Sequence, residues 1–380
     1  MDLSEYFVPV DFSRLKSDRD LWGRYSFGSM IKKTSEKFSG SQLKKPDVVI
    51  LGVPYSNGEY FKDEYAIPNK IRSSLYSLGL IEKKLNISDL GNLKPATTHK
   101  GTFLALRDVI EYLREADIIT VVIGGSQELT IGICEAFTND RFFWLTAVDA
   151  RLDIKKGVEK TNSTNYLSQV FKNHPHLFQF SLVGYQNHLV GEVLMDKVAG
   201  FGEHIRLGQL RENFQKAELI MRSTSFITFD MGAIRNSDAP GTCQNNPNGL
   251  FGEDACLLAR YAGLSQNLSV FGLFGAIREH QTDGQTPRLA AEIIWYFLEG
   301  VSQRKPSGKR ILYKVEIDGL EQALVFLHDQ ETNRWWFEVK SLKGECIEIA
   351  CSEEEYRLAA SDEIPGRWLK FVQKLDHLLK

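Results

Sequence analysis

The sequence contains no run of apolar residues that approaches the roughly 18 needed by a membrane-spanning helix. Its first residues, MDLSEYFVPVDFSRLK, include acids and no apolar core, so we expect no secretory signal peptide. An excess of charge is also absent, because 46 Lys and Arg against 49 Asp and Glu give a net charge of -3. Without a broad basic surface, neither nucleic acid nor a membrane is expected as the main partner.

Cysteines are few, with 5 in 380 residues, and none of them forms a CxxC pair. An odd number of scattered cysteines in a long chain is typical of reduced thiols, so we expect a soluble cytoplasmic protein. The chain lacks the GxSxG of a nucleophile elbow, and its GGSQELT segment lacks the lysine of a phosphate loop. The two histidines of NHPH (173–176) have no cysteine or acid beside them and are interpreted as loop residues.

Six short apolar runs lie between residues 47 and 275. They are apolar at both alternate positions, which is typical of strands that are buried on both faces of a parallel sheet. Segments with helical spacing separate them, so we predict a doubly wound, mostly parallel α/β sheet with helices on both faces. The predicted strands are 47–53, 117–125, 142–150, 178–185, 225–230 and 268–275, and the predicted helices are 68–85, 102–116, 252–264 and 286–301.

The composition divides the chain into three predicted parts. Residues 1–45 are polar with scattered aromatics and predict an N-terminal arm, whereas residues 46–304 carry the α/β pattern. After the basic linker QRKPSGKR, residues 305–380 alternate like strands before two helical segments. They predict a small β-rich C-terminal unit, marginal in size for folding alone, that is a candidate surface for a protein partner.

Polar residues follow three of the predicted strands, at the edge where a doubly wound sheet places its ligand. GGSQE supplies Gln127, and Asp230 ends another strand. DARLD supplies Asp149 and Asp153 with Arg151 between them, and alternate residues of an extended segment share one face. Three carboxylates there could hold a hard cation such as Mg²⁺ or Mn²⁺ through oxygen. From spacing alone, a helix cap or a pair with a basic residue is the more common role of such an aspartate.

Seven motifs occur in an order and spacing that resemble the ureohydrolase family of arginases, agmatinases and formimidoylglutamases. The resemblance covers about residues 45–304. It implies an arginase-like sheet, a homo-oligomer, and hydrolysis of guanidino or formimino C–N bonds at two bridged manganese ions. The motifs are GVPYSNG (52–58), PNKIRSSL (68–75), DLGN (89–92), VVIGGSQE (121–128), AVDARLD (147–153), SFITFDMGAIRNSDAPGT (225–242) and AIREHQTDGQT (276–286).

The resemblance implies six protein ligands for two ions, and this sequence retains three of them. Asp149, Asp153 and Asp230 match family aspartates, and Gln127 stands where the first ion has a histidine.

The second ion loses both of its own ligands, because Arg151 and Gly232 stand where the family has a histidine and an aspartate. A guanidinium cannot bind a metal and stays protonated. Arg151 is therefore predicted to replace the second ion, with hydrogen bonds to the neighbouring carboxylates.

Glu279 matches the glutamate that receives the guanidinium end of the substrate in the family, although a helix-start or surface acid fits equally well. With Asp153 it is the predicted catalytic pair. No histidine lies between residues 154 and 173, where family members often carry an acid/base histidine. A one-residue slip around Gly232 would instead bring Asp238 into the site.

The leading interpretation is an arginase- or formimidoylglutamase-like protein that has lost half of its binuclear manganese site. It is expected to be inactive or weak and to act in binding or scaffolding, with at most one Mn²⁺ or Mg²⁺ ion. The alternative is an active one-metal hydrolase of small guanidino or formimino compounds, and a third interpretation is a structural subunit of an oligomer.

Overall fold

The computed structural model describes residues 2–11, 23, 25–33, 45–56, 59–60, 67–83, 85–155, 160–175, 177–276, 284–306, 308–341 and 343–378. The chain divides into two compact units, residues 1–303 and residues 304–380. Among the helices of these described ranges, none is long and apolar enough to cross a membrane.

The first unit contains a ten-stranded sheet and a separate two-stranded ribbon. The strands are β1 (Phe7–Val8), β2 (Lys32–Lys33), β3 (Val48–Val53), β4 (Tyr55–Ser56), β5 (Glu59–Tyr60), β6 (Ile87–Leu93), β7 (Ile119–Gly124), β8 (Trp144–Val148), β9 (Gln179–Tyr185), β10 (His204–Arg206), β11 (Phe226–Asp230) and β12 (Val270–Phe274). The sheet order is β1-β6-β3-β7-β12-β11-β8-β9-β10, with β2 also beside β6, and β4 pairs with β5 in the ribbon. Among the described strands of the sheet, β1 runs antiparallel to its neighbour β6 and the other pairs are parallel.

Helices cover both faces of this sheet. Alternate residues of β3 show the division, because Val48 and Ile50 belong to one buried cluster and Val49 and Leu51 to the other. The helices are α1 (Ile67–Tyr76), α2 (His99–Glu115), α3 (Thr130–Glu135), α4 (Tyr166–Asn173), α5 (Glu192–Val198), α6 (Leu207–Glu212), α7 (Gln215–Ser223), α8 (Gly252–Gly263) and α9 (Gln285–Ser302). The first cluster includes residues of α1, α6, α7, α8 and α9, and the second includes residues of α2, α3, α4 and α5.

The predicted fold class is confirmed, and all six predicted strands are present. The sequence did not predict β6 as a strand, because Asp89 and Asn92 interrupt its apolar run. The predicted helix at 68–85 is wrong at its end, since α1 stops at Tyr76. There the Leu78 carbonyl accepts a hydrogen bond from the Phe27 amide at 2.7 Å, so the chain leaves the helix to meet the N-terminal segment.

The C-terminal unit is a four-stranded antiparallel sheet with two helices. Its strands, in sheet order, are β13 (Arg310–Val315), β14 (Leu324–Asp329), β15 (Arg334–Lys340) and β16 (Cys346–Cys351), and its helices are α10 (Glu353–Ala360) and α11 (Gly366–Leu378). Tyr356 of α10 stacks on Trp335 with ring centroids 4.6 Å apart, which packs the helix against one face of the sheet.

A buried ion pair in the first unit ties α1 to β6. The Arg72 and Asp89 side chains are both fully buried. They form two bonds, Nε to Oδ2 at 2.8 Å and Nη2 to Oδ1 at 3.0 Å. The Tyr76 hydroxyl and the Gly91 amide also donate to the Asp89 carboxylate, and Arg72 Nη1 donates to Asn92 Oδ1 at 2.6 Å. Each buried charge therefore lies beside an opposite charge and also has well-aligned hydrogen-bond partners.

We expect Arg72→Met to destabilise the protein strongly, because it leaves the Asp89 carboxylate buried without its counter-charge. The expected loss in the free energy of unfolding is about 3–5 kcal/mol, measured by urea denaturation. Arg107→Met is the matched control, since Arg107 pairs with Asp108 while their side chains are 38% and 35% exposed. A comparable loss in both variants would contradict a special role for the buried pair.

Candidate metal centre

Three carboxylates are buried together at the carboxyl ends of two neighbouring strands. β8 and β11 are parallel neighbours, so Asp149, which follows β8, and Asp230, which ends β11, emerge at the same edge of the sheet. Asp153 lies four residues beyond Asp149, and its carbonyl accepts the Leu167 amide of α4 at 3.2 Å. Asp149, Asp153 and Asp230 are 1%, 5% and 5% exposed. The structure thus brings together the three acids that the sequence predicts as metal ligands.

Gln127 reaches the same edge from β7. It begins a short 3-10 turn, Gln127–Leu129, and is 2% exposed. Its Nε2 donates to the Thr228 hydroxyl of β11 at 3.3 Å, and that hydroxyl lies 2.7 Å from the Thr130 hydroxyl. These contacts hold the Gln127 amide against the strand that ends in Asp230.

The three carboxyl groups raise one another's pKa values. Burial and the Asp153 charge raise the pKa of Asp149, and burial and the Asp149 charge raise that of Asp230. Burial and the Asp230 charge raise the pKa of Asp153 from its ordinary value of 3.8 to about 7. The cluster therefore binds a proton near neutral pH unless a cation compensates its charge.

Each oxygen of Asp149 has a different environment. Oδ1 accepts the Arg151 amide at 2.9 Å. Oδ2 is buried and has no hydrogen-bond partner of good geometry in the described part of the chain, although the Gln127 amide lies near enough to lower the pKa of Asp149 against the effect of burial. A buried carboxylate oxygen without a donor is costly in a folded protein and is suited to receive a cation.

Arg151 affects the three carboxylates through its charge at a distance, whereas the sequence suggested direct hydrogen bonds. Within the described ranges its guanidinium makes no ion pair with Asp149, Asp153 or Asp230, and its Nε is buried without a hydrogen-bond partner. Burial raises the pKa values of Asp153 and Asp230, and the Arg151 charge opposes that rise. The replacement of an ion by Arg151 stays a prediction, with through-space charge rather than bidentate bonding as its physical basis.

Asp230 is held by its own turn and by a side-chain amide. Its Oδ1 accepts the Gly232 amide at 3.0 Å, and its Oδ2 accepts Nε2 of Gln244 at 3.0 Å. Gly275, with φ of 71°, lies so close that an added Cβ would be 2.2 Å from Oδ1. A glycine is thus required there both for its backbone conformation and for space.

The two remaining sequence candidates are Glu279 and Asp238. Glu279 falls outside the described residues. Asp238, the residue that a slip in the motif would bring in, pairs instead with Arg235 at 2.8 Å and accepts the Gly252 amide at 3.0 Å. Asp238 therefore receives a backbone amide of the first turn of α8, and the assignment of Gly232 in the motif stays a prediction.

Sequence reasoning missed three residues that contact or face the cluster. Tyr166, at the start of α4, is fully buried with a hydroxyl that has no hydrogen-bond partner in the described chain, and burial followed by the three carboxylates raises its pKa. Gln244 and Asn246 come from the loop after the APGT motif. In the sequence, the run of side-chain amides in QNNPN is the one feature that could have pointed to them.

The two sides of the carboxylate cluster differ in their donor chemistry. Beside Gly232 the Asp230 carboxylate meets an amide N–H donor, which repels a cation, and Arg151 adds positive charge. Within the described ranges, no group of three or more His, Cys, Asp or Glu side chains is arranged as a metal site as it stands. The donor chemistry of a single oxygen-bound ion does fit, because Asp149 Oδ2 is unsatisfied and two more carboxylates adjoin it.

A model of the arginase family matches residues 46–299, which is more than half of the sequence. The chain belongs to the arginase family. The resemblance that the motifs predicted is confirmed at this level.

Curated relatives of this arginase-family chain are formimidoylglutamases. That of Citrobacter koseri is 27% identical over 137 residues, which are 34% of this chain and 44% of the relative. The enzyme of Streptococcus pyogenes is 23% identical over 274 residues, 67% of this chain and 83% of the relative. The chain thus matches less than half the length of the first relative and most of the second.

Solved structures show the same fold at low identity. Formiminoglutamase of Trypanosoma cruzi with Mn²⁺ has a TM-score of 0.62 at 20% identity, covering 70% of this chain and 97% of that one. Formimidoylglutamase of Bacillus subtilis has a TM-score of 0.63 at 16% identity, covering 76% and 95%. Agmatine ureohydrolase of Thermoplasma volcanium has a TM-score of 0.57 at 20% identity, covering 67% and 90%. The arginase-like α/β fold is therefore shown.

The raised pKa of Asp153 predicts that metal-free protein loses stability as pH rises. The folded carboxyl binds a proton up to about pH 7, whereas the unfolded one releases it near 3.8. Its stabilising contribution is therefore complete below 3.8 and is lost as pH rises through about 7, with a slope of at most about 1.4 kcal/mol per pH unit. Asp153→Asn is expected to flatten the pH dependence of the unfolding free energy between pH 5.5 and 8.5 in EDTA.

Asp196→Asn, in the exposed part of α5, is the control and is expected to leave that dependence unchanged. Parallel curves for wild type and Asp153→Asn would contradict the assigned pKa.

Proposed function

We propose that this arginase-family protein holds at most one divalent ion and has little or no hydrolytic activity toward guanidino and formimino compounds. One observation carries the proposal: on the Gly232 side, Asp230 Oδ2 accepts an N–H of Gln244 at 3.0 Å, where a second ion would need an oxygen or nitrogen lone pair. Arg151 adds a fixed positive charge near the same carboxylates. Both features disfavour a pair of cations on electrostatic grounds.

The function that remains for such a site is the binding of a small ligand. The family relationship and the formimidoylglutamase relatives support a small guanidino or formimino ligand, whose cationic end suits a buried acidic cluster. Homo-oligomerisation and a protein partner at the C-terminal unit are further parts of the proposal. The few scattered cysteines, none of which forms a CxxC pair, support a cytoplasmic location.

A second candidate, a one-ion hydrolase of linear amidines, is favoured by the unsatisfied Asp149 Oδ2. Asp149, Asp153, Asp230 and the Gln127 amide would hold the ion, and manganese is supported by the T. cruzi structure with Mn²⁺. When bound, such an ion lowers the pKa of a water molecule and polarises the amidine. The chain would contribute a site closed to solvent, in which those side chains fix the position of the bound group.

Metal content and product release test these candidates together. Protein dialysed against Mn²⁺ is expected to hold at most one ion per chain by elemental analysis, and to release no urea, ammonia or formamide above background from arginine, agmatine or formiminoglutamate. Asp149→Asn, which removes the unsatisfied carboxylate, is expected to abolish the bound ion. Two ions per chain would overturn the proposal, whereas one ion with metal-dependent release that Asp149→Asn removes would establish the one-ion hydrolase.

A further inference from the structure

The Asp230 side chain accepts a hydrogen bond from one amide side chain of the loop that follows β11, and a second amide of that loop supports the first. Gln244 Nε2 donates to Asp230 Oδ2 at 3.0 Å, and Asn246 lies behind Gln244 and is 6% exposed. Asp230 Oδ1 is already bonded to the Gly232 amide at 3.0 Å. Both oxygens of this carboxylate therefore accept a hydrogen bond from the chain itself.

The orientation of the Gln244 amide is set by Asn246. Asn246 Nδ2 donates to the Gly232 carbonyl at 2.9 Å and to Gln244 Oε1 at 3.2 Å. A carbonyl can only accept, so the Gly232 contact fixes which end of Asn246 is the donor. That donor then fixes Oε1 of Gln244 on its side, and the Gln244 NH₂ group must face Asp230. The cluster thus meets the NH₂ group of Gln244 where an ion would require a lone pair.

Gln244 also limits the space that is available for a side chain at position 232. A Cβ added at Gly232 would lie 2.7 Å from Asp230 Oδ2, 2.8 Å from Gln244 Cδ and 3.0 Å from Gln244 Nε2. A side chain at position 232 therefore has no room while Gln244 keeps its place. Two of the three obstructing atoms belong to the flexible Gln244 side chain, so a smaller residue at 244 removes both of them and leaves only Asp230 Oδ2 to shift.

We propose that Gln244, oriented by Asn246, is a positioning residue that takes the place of a second cation beside Asp230 and limits this chain to one ion. The inference rests on the proposed function, since it explains how the chain tolerates the loss of the second ion. Arg151 and Gly232 alone do not determine the number of ions. Restoring a histidine and an aspartate at those two positions is not sufficient while Gln244 remains.

The first test compares two combined variants by Mn²⁺ content per chain and by titration calorimetry. Arg151→His with Gly232→Asp is expected to bind no more ions than wild type. Addition of Gln244→Ala to that pair is expected to raise the content by one ion. Two ions in the variant that keeps Gln244, or no gain after Gln244→Ala, would overturn the role of Gln244.

A single isosteric change keeps the inference testable if the combined variants fail to fold. Gln244→Glu exchanges the N–H donor for a carboxylate of the same shape, so it is expected to tighten Mn²⁺ binding at least about tenfold. It is also expected to make the midpoint of thermal unfolding depend more strongly on Mn²⁺. Gln303→Glu is the matched control, because Gln303 also donates to a carboxylate, that of Glu299, but away from the cluster.

An unchanged Mn²⁺ affinity in Gln244→Glu, or an equal gain in Gln303→Glu, would overturn the inference. The outcome is distinguishable from failure of the proposed function. Wild type that binds two ions contradicts the proposed function, whereas wild type with one ion and an Arg151→His, Gly232→Asp variant with two contradicts only the role of Gln244.

Discussion

Mutual repulsion among Asp149, Asp153 and Asp230 is the constraint on which the rest of the site depends. Three carboxyl groups at most 5% exposed cannot all be ionised without compensation, because burial removes the water that would screen them. The chain compensates part of this negative charge. Asp230 accepts two amide donors, Asp149 accepts a backbone donor, and the positive charge of Arg151 acts at longer range. What these leave uncompensated must be supplied by protons or by a bound cation.

The same unit contains a carboxylate that shows full compensation. Asp89 receives two bonds from Arg72, one from Tyr76 and one from the Gly91 amide, all within a fully buried cluster. Such a network fixes the packing of α1 on β6 and has no capacity left for a ligand. Asp149 differs, because its Oδ2 has no donor of good geometry in the described chain. Asp89 is therefore a structural carboxylate, whereas Asp149 is suited to bind a cation.

The sheet could be predicted because its strands are continuous apolar runs, and that signal is local. β6 was missed for a physical reason that the sequence does not display. Asp89 is polar in sequence but neutralised in space by Arg72, 17 residues earlier. The candidate ligands could be predicted from motifs at strand ends, and the structure brings Gln127 together with the three acids.

The partners of those ligands could not be predicted in the same way. Gln244 lies 14 residues from Asp230, in a loop whose path depends on tertiary packing, so no spacing rule links them. The contact expected of Arg151 failed for the complementary reason. Its position between two aspartates in sequence does not determine where a long flexible side chain ends, and the guanidinium makes no ion pair with them.

Retention of the three acids is itself informative once Gln244 is considered. If the cluster had no cationic ligand, replacing one aspartate by asparagine would relieve repulsion at little steric cost, since amide and carboxylate have nearly the same shape. Instead, the chain keeps all three carboxylates and compensates them unequally. Asp230 accepts a hydrogen bond at each of its oxygens, from the Gly232 amide and from Gln244, whereas within the described ranges only Oδ1 of Asp149 accepts one of good geometry, from the Arg151 amide. Under the proposed function, the more fully compensated carboxylate lies on the side of the second ion, and Asp149 Oδ2 remains available to a single cation.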